Sequence, residues 1–174
     1  MKMTTKAMLV LLAMSTAACT RPDRFGGADD MNASAGGAPL GNTMPQGGAS
    51  DPRSAEYFQQ TVGDRVLFVV DSSSLTPQGH ATLDGQANWL TTNSDYLAII
   101  EGHADEQGTR EYNLALGARR ANAVREYLIS RGIPSARLRT ISYGKERPIE
   151  VCSNEACYSK NRRAVTVISV GSLS

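Results

Sequence analysis

The run Arg-Val-Leu-Phe-Val-Val over residues 65–70 is β-branched and aromatic, which predicts a buried strand. Over residues 77–91 the period changes. Leu83, Ala87 and Leu90 recur at helical spacing behind Thr76, an N-cap followed by Pro77 at the first helical position. Residues 96–101 (Tyr-Leu-Ala-Ile-Ile-Glu) predict a second strand ending at Gly102. The loop 103–108 then feeds a helix from about residue 109 to 131. On that helix Leu114, Gly117, Ala121, Val124 and Leu128 fall on one stripe, and Gly132 with Pro134 ends it. Residues 138–143 form a third strand closed by Gly144, and residues 163–170 (Arg-Ala-Val-Thr-Val-Ile-Ser-Val) a fourth. A short helix over 54–60 comes before the first strand, Trp89 packs at the edge of its helix, and the stretch between Gly144 and Arg163 reads as a loop. The order β-α-β-α-β-loop-β predicts an α+β two-layer sandwich with the helices on one face of the sheet.

The first 50 residues have another character. Lys2 and Lys6 precede the apolar run Ala7-Met8-Leu9-Val10-Leu11-Leu12-Ala13-Met14, and the small residues Ser15-Thr16-Ala17-Ala18 then lead to Cys19. This is the pattern of a bacterial export signal over 1–18. An apolar stretch this short falls well below the roughly 20 residues that span a bilayer as a helix. Cleavage between Ala18 and Cys19 would leave Cys19 as the first residue, with its thiol and freed amine as sites for acyl chains; in the alternative the segment is an ordinary signal peptide cut at the same bond and Cys19 is incidental. Between Thr20 and Ser50 there are seven Gly and three Pro, with Phe25, Met31, Leu40 and Met44 as the large apolar side chains. Residues 19–50 therefore read as a lipidated cysteine and a tether too poor in apolar surface to offset its ordering entropy. Fully stretched, such a tether reaches about 100 Å. The folded domain is expected over 51–174.

Composition narrows the classes. With 41% hydrophobic and 20% charged residues in 174, the chain holds one ordinary domain plus an appendage, which excludes a large multidomain enzyme. Residues 51–174 carry 14 basic and 14 acidic side chains, so no overall field steers the domain onto nucleic acid. Cys152 and Cys157, in Cys-Ser-Asn-Glu-Ala-Cys, suit a disulfide closing a small loop in an exported protein. With His80 and His103 as the chain's two histidines, a zinc constellation lacks ligands. No metal or cofactor is expected.

The candidate chemistry gathers at the long helix. Asp105 precedes it, near its unpaired amides and positive end. Asn113 and Arg120 are seven residues apart, about 700° of rotation, so they share a face adjoining the core stripe with Leu116 between them as an apolar floor. Such a set could clamp a zwitterion, with an ammonium on Asp105 and a carboxylate on the forked donors of Arg120. The alternative on spacing alone is a capping Asp and a surface ion-paired Arg. A rival reading makes Glu101, Asp105 and His103 the acids and bases of a periplasmic peptidoglycan-cleaving enzyme. Against it, the sequence lacks a nucleophile motif, a metal set and a phosphate-cradling loop.

The segment Gly102-His103-Ala104-Asp105-Glu106-Gln107-Gly108-Thr109-Arg110-Glu111-Tyr112-Asn113-Leu114-Ala115-Leu116-Gly117-Ala118-Arg119-Arg120-Ala121 resembles the signature of OmpA-like C-terminal domains, most closely those of peptidoglycan-associated lipoproteins. Asp71-Ser72-Ser73-Ser74-Leu75-Thr76, the run from Arg137 to Pro148 and Asn161-Arg162-Arg163-Ala164-Val165 match as well, so the resemblance covers about 54–170. It implies an OmpA-like β-α-β-α-β-β fold with a mixed four-stranded sheet. It also implies non-catalytic binding of the meso-diaminopimelate stem peptide of peptidoglycan, whose side chain ends in an ammonium and a carboxylate. The family's ligand-binding acid falls on Asp105 and its guanidinium on Arg120. Asn113 and Leu116 line the same pocket, and Asp71 and Val70 stand where the first strand ends. Arg162 and Arg163 match the family's paired arginines, as ligand contacts or as braces of the last strand, and His103 falls on a scaffold position expected to be hydrogen-bonded. The resemblance further implies a lipobox at Cys19, an outer-membrane lipid anchor with the domain in the periplasm, and a place in the Tol-Pal system of envelope integrity and cell division. TolB is the implied partner, with TolA and other Tol components as further candidates.

Overall fold

A computed structural model describes residues 48–151 and 153–171. The expected signal segment, Cys19, nearly all of the tether and Cys152 lie outside the described residues. The elements follow in chain order as α1 (Ala55–Tyr57), continued by a π-helical turn (Phe58–Gly63), then β1 (Arg65–Leu67), α2 (Pro77–Thr92), β2 (Tyr96–His103) and α3 (Arg110–Ser130). A 3-10 turn (Ser135–Arg137), β3 (Leu138–Gly144), α4 (Glu155–Asn161) and β4 (Arg163–Val170) complete the order.

The strands form one sheet in the order β1-β4-β2-β3. β2 and β3 run parallel, and β4 is antiparallel to both β1 and β2, so the sheet is mixed as expected. Alternation along β2 sends Ala98, Ile100 and Gly102 to the helix layer, where Leu83 and Leu90 of α2 and Val124 and Leu128 of α3 are fully or almost fully buried. α3 lies directly on β2. A Cβ on Gly102 would fall inside the Gly117 carbonyl, so only a pair of glycines allows this approach. That contact fixes the height of α3 over the end of β2, and with it the site described below.

Four local expectations change. β1 stops at Leu67 rather than residue 70. The Phe68 N–H still bonds the Arg162 carbonyl (2.9 Å), but β4 begins at Arg163, so Val69 and Val70 have no strand to pair with and stand 56% and 58% exposed. Leu114 is 48% exposed rather than part of the core stripe. Its flank of α3 leans over the edge strand β3, while the opposite flank, with Asn113, Leu116 and Arg120, is buried. Trp89 sits inside the fold rather than at an edge, its ring between Phe58 (4.9 Å) and Tyr96 (5.0 Å) and its Nε1 donating to the Pro52 carbonyl (2.7 Å). Last, the stretch before β4 contains α4. Its N-cap Asn154 accepts from the Cys157 N–H (3.2 Å) and Glu155 lies in its first turn, a start signal that was legible in Asn-Glu. Cys157 is buried on this helix and disulfide-bonded.

Candidate functional site

The loop between β2 and α3 is set by two local caps. Thr109, not Asp105, is the N-cap of α3, accepting from the Tyr112 N–H at 3.2 Å. Asp105 instead closes its own turn, Oδ1 accepting from the Gln107 N–H (3.2 Å). Asn113 pins the same loop from the helix, donating from Nδ2 to the Gln107 carbonyl (2.8 Å). Asp105 is thereby held at 7% exposure at the end of the sheet.

Its charged partner is Arg162. Nη1 of Arg162 donates to Asp105 Oδ2 at 3.1 Å, with the two side chains 6% and 9% exposed. The same guanidinium reaches Glu155 through both terminal nitrogens and the Phe68 carbonyl through Nε (3.3 Å). Glu155 and Asp105 push the Arg162 pKa above its ordinary value, and Arg162 in turn holds the Glu155 carboxyl low. The paired arginines divide: among the described residues Arg163 binds no carboxylate, and it donates to the carbonyls of Asn161 (3.3 Å) and Arg147 (3.1 Å). α4 supplies Glu155, and the β4 boundary supplies Arg162. Sequence reasoning left Arg162 with two roles and passed over Glu155, for which the start signal of α4 was the available clue.

Arg120 is fully buried, and its partners are backbone. Nε donates to the Ser72 carbonyl (2.8 Å), Nη1 to the His103 carbonyl (2.8 Å) and Nη2 to the Val69 carbonyl (3.2 Å), while the Phe68 ring lies 5.2 Å from its guanidinium carbon. It thus ties the β1–α2 loop to the end of β2. A guanidinium has five N–H donors, so two remain, one on each terminal nitrogen. Burial lowers its pKa to about 10, opposed by the charges of Asp105 and Asp71, so it stays cationic at neutral pH. Asn113 and Leu116 are buried on the same flank. Val70 and Asp71 lie on the exposed side of the loop that Arg120 holds. Asp71 adopts a left-handed φ of 54° and accepts a hydrogen bond from the Tyr112 hydroxyl.

His103 departs from the expectation of a hydrogen-bonded scaffold residue. It points away from α3, is 2% exposed, and among the described residues neither ring nitrogen has a hydrogen-bond partner. Its Nε2 is 3.7 Å from Glu101 Oε2, its ring lies 5.6 Å from that of Tyr143, and Arg163, Arg147 and Arg65 surround it with positive charge. Burial foremost, and then these arginines, push its pKa down to about 4. Glu101 and His103 therefore meet on the open face of the sheet, whereas Asp105 is engaged with Arg162. The three do not form one accessible acid-base set. Among the described residues no cluster of His, Cys, Asp or Glu could hold a metal ion, and no helix is long and apolar enough to cross a membrane.

Known proteins place this geometry in a family. The sequence profile of the OmpA family matches residues 67–162. A peptidoglycan-associated lipoprotein of Rhizobium meliloti (strain 1021) is 60% identical over 121 residues, covering 70% of this chain and 69% of the relative. One from Agrobacterium fabrum is 48% identical over 157 residues, covering 90% and 83%. Among solved structures, the peptidoglycan-associated lipoprotein from Burkholderia pseudomallei superposes with a TM-score of 0.62 at 38% identity, covering 70% of this chain and 98% of that one. The C-terminal domain of Helicobacter pylori MotB, at 22% identity and a TM-score of 0.57, shares the fold. With the profile spanning more than half of its length and relatives this similar, the chain belongs to the OmpA family.

Proposed function

We propose that this chain is a non-catalytic cell-envelope lipoprotein whose domain binds peptidoglycan and anchors the outer membrane to the cell wall as part of the Tol-Pal system. The relatives carry the name peptidoglycan-associated lipoprotein, which supports the cell-wall partner. One observation carries the site. Asp105, a buried carboxylate already oriented by Arg162 and the Gln107 amide, acts electrostatically on the buried guanidinium of Arg120, whose bonds to three carbonyls use three of its five N–H donors. A carboxylate has about four acceptor positions, so Asp105 retains capacity for an ammonium while Arg120 offers donors to a carboxylate. The diaminopimelate side chain of the stem peptide has both groups on one carbon. Asn113 and Leu116 shape the buried wall, and Val70 and Asp71 form the outer lip.

The lipid on Cys19 would hold the chain in the outer membrane, with the domain in the periplasm and 19–50 as leash. Acyl chains contribute about 0.8 kcal/mol per buried methylene, so two or more chains give a stable anchor. TolB is the proposed protein partner, with other Tol components. Cys152, five residues before Cys157, is the proposed disulfide partner.

Incubation with isolated sacculi tests the site. The unaltered chain sediments with the sacculus and releases no soluble muropeptide, and Asp105→Asn leaves the chain in the supernatant. Sedimentation of Asp105→Asn at the original level, or release of fragments, overturns the reading. For the anchor, Cys19→Ala moves the chain from the membrane to the soluble periplasmic fraction, and retention on the membrane rejects lipidation.

A further inference from the structure

Among the described residues Asp71 is the one non-glycine with a left-handed backbone, at a φ of 54°. It occupies the third position of a tight turn that the Ser72 N–H closes on the Val69 carbonyl (3.3 Å). Val70, at the second position, keeps a negative φ, the pattern of a type II turn, which favours Gly or Asn where Asp71 stands. A carboxylate is thus kept where the backbone prefers a glycine. Strain of this kind persists where the surroundings over-determine it, and it gathers at binding sites.

Two side chains hold the turn, and they hold different parts of it. Arg120 grips the backbone through the carbonyls at either end, Val69 (3.2 Å) and Ser72 (2.8 Å). Tyr112 grips the side chain, its hydroxyl donating to Asp71 Oδ1 across 41 residues of sequence. The phenol is itself placed by the start of α3, where Thr109 caps the Tyr112 N–H and the Arg119 guanidinium carbon lies 5.9 Å from the ring centre. A carboxylate has about four acceptor positions, so Asp71 keeps capacity for a ligand N–H after Tyr112 has taken one. Its charge acts on the Arg120 guanidinium, as that of Asp105 does. On an exposed turn an unheld Asp side chain would have to be ordered when a ligand arrives, and ordering it beforehand removes that cost. We propose that Tyr112 is a positioning residue of the ligand site, whose hydroxyl holds the Asp71 carboxylate on the rim as a second acceptor, with Asp105, for the ammonium of the ligand. This role rests on the peptidoglycan reading above.

Calorimetric titration of the full chain with the soluble tripeptide L-Ala-γ-D-Glu-meso-diaminopimelate tests it. Tyr112→Phe deletes the hydroxyl and keeps the ring, and is expected to weaken the tripeptide about fivefold. The urea midpoint and the amide exchange of residues 69–74 stay as in the unaltered chain, because Arg120 still grips the turn. Asp71→Gly suits the turn and removes the carboxylate, and is expected to weaken the tripeptide about tenfold. Adding Tyr112→Phe to Asp71→Gly then changes the affinity by less than about twofold, since the hydroxyl has lost the group it acts through. Unchanged affinity in Tyr112→Phe, the same loss from it in the Asp71→Gly background, or faster exchange over residues 69–74 overturns the role of Tyr112. The two readings fail separately. An unaltered chain that binds neither tripeptide nor sacculus overturns both, whereas tripeptide binding that survives Tyr112→Phe in full overturns the role of Tyr112 alone.

Discussion

Arg162 and Asp105, 57 residues apart in sequence, meet at 3.1 Å in a setting where each side chain is less than a tenth exposed. The pair joins the start of β4 to the loop after β2, and Glu155 completes it from α4. Because the Arg162 guanidinium also holds the Phe68 carbonyl, one side chain connects the end of β1, the β2–α3 loop and α4. The proposed ligand acid is therefore oriented by a residue on a different element from the proposed ligand guanidinium.

Removing one partner of such a buried pair leaves the other charge unpaired, which costs roughly 3–5 kcal/mol. Arg162→Ala is thus expected to lower the urea midpoint strongly and to weaken sacculus binding, although Arg162 contacts no ligand in the proposal. Glu155→Gln, on the exposed side of the same guanidinium, is expected to shift the midpoint far less. Equal shifts for the two variants would contradict this division of roles.

Arg120→Ala deserves a stability measurement before any binding assay. It leaves the carbonyls of Val69, Ser72 and His103 without a donor in a buried place, at a cost of about 1–3 kcal/mol for each group that water does not reach. The expected outcome is a lowered thermal midpoint and faster amide exchange in residues 69–74. An unchanged midpoint would show that these carbonyls are satisfied without Arg120.

His103 predicts a pH dependence. Its folded pKa of about 4 lies below the ordinary 6.5, so the unfolded chain binds more protons between these values. Stability from this residue is present above pH 6.5 and is lost as the pH falls toward 4, by up to about 3 kcal/mol. Urea unfolding of the unaltered chain and of His103→Gln from pH 7.5 to 4 reads the effect as a difference in slope. Parallel curves would reject it.

Gly117→Ala reverses the usual helix rule. In an exposed helix interior the change stabilises by about 1 kcal/mol. Here the new Cβ would stand 2.8 Å from the Gly102 carbonyl oxygen and collide with Ser142 Oγ, forcing α3 away from β2. A lowered urea midpoint is expected, together with weaker sacculus binding, because the helix carries Asn113, Leu116 and Arg120. A raised midpoint would show that the helix has room to move.

Periodicity alone determined the strands, the two long helices and their order, because Leu83, Ala87 and Leu90 or Ala98 and Ile100 are buried by the repeat of their own element. The motif residues Asp105, Asn113, Leu116 and Arg120 were likewise legible, the last three through helical spacing. Tertiary structure decided the partners. Arg120 meets carbonyls from two other segments, Asp105 meets Arg162 across 57 residues, and β1 ends where β4 has nothing left to pair with it. Local sequence encodes which face a side chain takes, but the length of a strand and the partner of a buried charge depend on which distant segment arrives opposite it. That is settled by the packing of α3 on β2 and the register of β4, and by no spacing within a single element.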